Sequence, residues 1–248
     1  MHEEAPVESI LSGHSLEEVF NEIDSILRTA PPEAVTHTLT FVRDAQLYPH
    51  PFRDDFREYL AASNIWKTFQ ELLQAPNFSV RSSTIYTIGK LTNRDRAYLL
   101  SEAFPFYLAT DPINLPRLLS ELSWLTNEVN WSFIEEISAS SHYLNRWSLC
   151  EVLDESGNST ETLNRFITIL DRLKCDSHAL IAAEAKFRFE RISVKLGPKL
   201  PKAEWRKEVK RISSLEPRIS FFFAANQFMR DRSDYSLDDF DRFVAGLV

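Results

Sequence analysis

The chain has 248 residues, of which 44% are hydrophobic and 26% charged, with a net charge of -8; this is the balance of a folded, water-facing protein rather than a disordered one. Five glycines against twelve prolines weigh against sheet-rich folds with many tight turns and against glycine-lined phosphate loops. No apolar run approaches the roughly 20 residues of a membrane span, and even Ile219 to Ala225 stops at Asn226.

In chain order, residues 1–14 form an acidic segment expected to be flexible, without the basic-then-apolar order of a secretion signal. Ser15-Leu-Glu-Glu18 then has the form of a capping box, and Val19, Phe20, Ile23 and Leu27 follow on one face, so a helix begins there. Pro31-Pro32-Glu33 starts a second, with Val35, Leu39 and Val42 as its apolar side, and the two form a hairpin. Comparable segments are predicted at about 51–62, 65–75, 79–92, 94–109, 114–126, 129–139, 141–154, 159–174, 177–196, 202–214, 217–231 and 237–247, fourteen helices in all. The breaks carry turn chemistry: Pro76-Asn77, Asn93, Asp111-Pro112, Glu155 to Asn158, Gly197-Pro198 and Ser233-Asp234. Residues 15–248 are read as one domain.

The helix at 177–196 has two apolar faces. Ile181, Ala182, Ala185, Phe189, Ile192 and Leu196 make one, and Ala183, Phe187 and Val194 make the other. A helix sandwiched between its own partner and the next hairpin needs two such faces.

Val80-Arg81, Thr84, Thr87-Ile88-Gly89 and Leu91, with Pro76 just upstream, sit at the spacings of the second helix in HEAT repeats. The segment resembles that family, with threonines at the two small positions making the helix contact more polar. A fainter echo falls at Leu144, Ser148 and Val152. Second helices are placed near 79, 114, 141, 177 and 217, at spacings of 35, 27, 36 and 40 residues. The resemblance implies an all-α chain, a right-handed curved α-solenoid of about seven antiparallel helical hairpins of HEAT/armadillo type.

Charge is unevenly distributed. From Lys186 to Arg218 there are 11 basic and 4 acidic residues, a local +7 that leaves -15 elsewhere. Lys202, Arg206 and Lys210 repeat every four residues, and Lys207 and Arg211 broaden this cationic face away from Trp205, Val209 and Ile212. These five cations are the candidate partner-binding residues. A second candidate lies among Trp124, Trp131 and Trp147: Trp147 and Glu151 are four apart, Asp154 follows, and a tryptophan beside a carboxylate can hold a cationic ring. This pair is loosely similar to the Trp and acid of helical-repeat alkylpurine DNA glycosylases, which carry Asp where Glu151 stands.

No catalytic residue is assigned, because GxSxG, Walker A and dinucleotide fingerprints are missing from the sequence. No metal or cofactor is expected either: His37, His50, His142 and His178 lack ligand spacing, and 231–241 lacks the EF-hand pattern. Two cysteines, Cys150 and Cys175, are too few for a disulfide framework and point to a reducing, cytoplasmic setting. The function expected is a noncatalytic protein-binding scaffold, adaptor or inhibitor using a broad helical-repeat surface. Its acidic body favours a basic protein partner. Nucleic-acid binding through Trp147, Glu151 and the basic helix is the alternative.

Overall fold

The computed structural model describes residues 15–47, 53–90, 96–154 and 158–247. The acidic segment 1–14, His50, Leu91 of the repeat-like pattern, Asn93 and residues 155–157 of a turn lie outside the described residues. All fourteen helices predicted from the sequence are found, and no strand occurs among the described residues. The chain falls into two compact units, one running to Phe104 and taking in Glu121–Glu128, the other made of Pro105–Ser120 and Val129 onward.

The first unit holds α1 (Leu16–Thr29), α2 (Pro32–Leu47), α3 (Arg53–Ala62), α4 (Ile65–Leu72) and α5 (Phe78–Lys90). The Ser15–Glu18 capping box forms, with the Glu18 amide donating to the Ser15 hydroxyl at 3.3 Å and the Ser15 amide to the Glu18 carboxylate at 2.7 Å. The α1–α2 hairpin lies on the α4–α5 hairpin, α1 against α4 and α2 along α5. Leu39, Phe69, Ile85 and Ile88 are fully buried between them, each worth about 1.5–3 kcal/mol of transfer free energy.

Both threonines of the repeat-like helix are satisfied. Thr84 donates to its own helix at the Val80 carbonyl, and Thr87 crosses to the Leu39 carbonyl of α2 at 3.2 Å. Gly89 has a different reason: a Cβ there would fall 2.6 Å from the Cβ of Glu121. Only a bare backbone permits that approach. Glu121 in turn accepts from Lys90 at 3.1 Å.

Two helices contribute residues to both units, α6 (Ala97–Thr110) and α7 (Leu115–Thr126). Pro105 stands inside α6, where its missing N–H removes one helical hydrogen bond.

The second unit continues with α8 (Trp131–Ser138), α9 (Tyr143–Val152), α10 (Thr160–Leu173), α11 (Ala179–Leu196), α12 (Lys202–Ser213), α13 (Phe221–Met229) and α14 (Leu237–Ala245). The α8–α9 and α10–α11 hairpins meet through their second helices, α9 against α11. Their entry turns are alike in sequence: Ser140-Ser-His-Tyr-Leu144 and Asp176-Ser-His-Ala-Leu180, 36 residues apart. Arg146 donates through Nη1 to the carbonyls of Ser140 and Ser141, as Arg81 in the first unit donates to those of Ala75 and Pro76. In both units the arginine closes the turn five and six residues before it.

Two expectations change. The helix predicted from 217 begins at Phe221, because Ser220 caps it by accepting from the Phe223 amide at 3.1 Å. That helix, α13, packs against α9. The second face of α11 also differs: Ala183 is exposed and Phe187 and Val194 are only half-buried, while Glu184 is buried. α11 meets α9 through this carboxyl group, which accepts from Trp147.

Candidate functional site

The twelve residues of α12 include one buried side chain, Ile212. Trp205 is 47% and Val209 41% exposed. Pro201 precedes the helix and Gly197-Pro198 ends α11, so the connection stops one helix and starts the other without demanding an apolar core from either.

Two contacts fix which side of α12 faces the protein. Ile212 is tucked in, and Arg211 reaches back to Glu190 of α11 at 2.6 Å while also holding Glu208. Paired this way, the Arg211 guanidinium is pushed above its ordinary range by the hydrogen bonds it donates to Glu208 first and Glu190 second. At 3.6 residues per turn, Arg206 and Lys210 lie on the side away from Ile212, and Trp205, Val209 and Lys202 form the flank between them and Ile212. Lys202, Arg206, Lys207 and Lys210 are exposed and enter no ion pair among the described residues. Four of the five predicted partner-binding cations therefore face solvent uncompensated, and Arg211 serves to anchor the helix.

The second predicted site is differently placed. Trp147 is fully buried, edge-on to Phe221 at 5.4 Å, with its indole N–H donating to Glu184 at 2.6 Å. It has no free face on which to stack a base. Glu151 is tied to Arg188 at 2.9 Å, and Arg188 also binds Asp154 at 3.0 Å. The structure thus brings Trp147, Glu151 and Asp154 together, as their spacing suggested, but around Glu184 and Arg188 in the interior.

The N-terminus of α13 closes this cluster. Its first amide, Phe221, donates to Glu184 at 3.0 Å, and the next, Phe222, to Glu151 at 3.4 Å. Helix N-termini carry unsatisfied donors and partial positive charge, so carboxyl groups suit them. Glu184 is 1% exposed, and its Oε1 makes no hydrogen bond, with the Arg188 guanidinium 3.5 Å away. Burial first, and the neighbouring Glu151 carboxylate second, push its pKa up to about 8. A proton kept on Glu184 and offered to Glu151 accounts for the unsatisfied oxygen. Burial likewise raises the Cys150 thiol, which fits an inert core position.

The other tryptophans do not join this cluster. Trp131 packs on Phe166 beneath Arg165, and Trp124, 64% exposed, has Lys90 over its ring at 5.2 Å. Among the described residues, no group of three or more His, Cys, Asp or Glu is placed to hold a metal ion, and no helix is long and apolar enough to cross a membrane. No protein-family model matches the sequence, and no similar curated protein was found.

The sequence reading missed Glu184. Its neighbours Ala182-Ala183-Glu184-Ala185 were the available signal, because small residues around a lone charge permit a close helix contact that captures the charge.

Proposed function

We propose that this chain is a noncatalytic helical-repeat protein, an α-solenoid resembling HEAT arrays, that binds another protein through the solvent side of α12. One observation carries the reading: a twelve-residue helix with a single buried side chain, presenting Trp205 and Val209 beside unpaired Lys202, Arg206 and Lys210. Exposed tryptophan and arginine are the residue types that supply most energy at protein interfaces. The unpaired cations favour an acidic contact segment and speed its encounter. Basic partner regions would meet the acidic remainder of the chain. The solenoid reading draws support from the hairpin-on-hairpin packing inside each unit and from the repeated turn-closing arginines.

The test is a photo-crosslinking amino acid at position 206, with a matched one at exposed Lys67 on α4 as control. A protein captured at 206 and not at 67 supports the reading. Capture of nucleic acid at 206, with binding that falls steeply as salt rises, would replace it with the alternative.

A further inference from the structure

A cleft of about 330 Å³ opens in the second unit between the end of α8 and the last turn of α10, lined by Ser138, Ala139, Ser140, Arg146, Ile169, Arg172, Leu173 and Asp176. Its polar groups divide into two sets. Arg146 and Asp176 are committed to each other at 2.7 and 3.0 Å, the Arg146 Nη1 is used on two carbonyls, and Asp176 accepts the His178 amide as well. Burial alone would raise the Asp176 carboxyl, but the bonds from Arg146 and His178 hold it below its ordinary range. This pair is neutral in sum.

Arg172 is the exception. Its side chain makes no hydrogen bond or ion pair among the described residues, although it lines the cleft. Ser140 is also incomplete: its oxygen accepts from the His142 amide and the Asn145 side chain, leaving its own O–H to donate. Ile169 and Leu173, 5% and 4% exposed, supply apolar wall. One uncompensated cation, one free hydroxyl donor and an aliphatic wall define a ligand with one negative charge and a small apolar stem.

We infer that this cleft binds a monoanionic carboxylate on a short aliphatic stem, with Arg172 as its counter-ion and Ser140 as a hydrogen-bond donor. A guanidinium matches a carboxylate through two parallel bonds. A phosphate dianion would bring a second negative charge beside Asp176 with no cation left to meet it. The volume lies at the small end for ligand sites, which suits a group the size of one amino acid. The same chemistry is offered by a free aliphatic acid and by the last residue of a peptide chain. This inference does not depend on the role of α12.

The experiment titrates the full chain with N-acetylleucine, using N-acetylleucinamide as the uncharged control, followed by calorimetry and amide NMR. The acid is expected to bind with a dissociation constant on the order of millimolar, normal for a ligand of about a dozen heavy atoms, and to shift the Ser140 and Leu173 amides. Arg172→Gln is expected to weaken binding at least tenfold, and Arg172→Lys to recover part of the loss. Because Arg172 holds nothing else, both variants keep the parent melting temperature. Equal binding of the amide, no effect of Arg172→Gln, or no shift at Ser140 overturns the assignment. A peptide Gly-Ser-Gly-Ser-Leu with a free C-terminus separates the sources. Binding tenfold tighter than the acetylated amino acid assigns the cleft to chain ends, and equal binding assigns it to small acids.

Discussion

Replacing Glu184 by Gln tests the buried cluster most sharply, because glutamine copies the protonated acid. Its carbonyl can accept from the Trp147 indole and the Phe221 amide, and its NH2 can donate to Glu151 from the place of Oε1, which makes no hydrogen bond. The sign follows from where the proton sits. The Glu184 carboxyl stands at about 8 in the folded chain against an ordinary 4.5. Below pH 4.5 it is protonated folded and unfolded, so it gives no slope. Between 4.5 and about 8 the folded chain keeps a proton that the unfolded chain has lost, and stability falls as pH rises; above 8 the full cost persists. A displacement of that size is worth on the order of a few kcal/mol. Urea unfolding at pH 5.5, 7.0 and 8.5 measures it, read as the difference between Glu184→Gln and the parent so that other titrating groups cancel. The variant is expected to match the parent near pH 5 and to be more stable by a few kcal/mol at pH 8.5. A difference that stays constant across this range would refute the buried proton.

Two further outcomes concern the hairpin contacts. Gly89→Ala is expected to cost about 1–3 kcal/mol in urea unfolding, since the new methyl would overlap Glu121 and drive α5 and α7 apart; a neutral result would mean that this contact is loose. Asp176→Asn removes the charge that Arg146 grips at 2.7 Å and is expected to cost about 2 kcal/mol at pH 7. The Asp176 carboxyl is held below its ordinary 3.8. Its contribution is therefore complete above that pH, and the gap between variant and parent should close as pH falls through 3.8 and below.

The elements were legible because their signals are local. Ser15 with Glu18 marks one helix start, and Val19, Phe20, Ile23 and Leu27 are all buried as their spacing requires. The basic strip of α12 could be read for the same reason, as a periodic pattern within one helix. What escaped depends on partners far along the chain. Glu184 meets Trp147 across 37 residues and Arg146 meets Asp176 across 30, and spacing within one helix says nothing of either. Arg211 was grouped with its neighbours on α12, although Glu190 draws it to the protein side. The helix predicted over 217–231 starts later than its apolar run suggested, because Ser220 makes the cap.

The central claim is that the exposed strip of α12 is a protein contact. The most direct measurement compares proteins copurified from native extract with the parent chain and with a Lys202→Glu, Arg206→Glu, Lys210→Glu variant. These side chains hold nothing in the fold, so the variant should unfold as the parent does. The account expects one protein recovered in near-stoichiometric amount with the parent, retained by a Lys67→Glu control and lost from the triple variant. Equal recovery with the triple variant would contradict it.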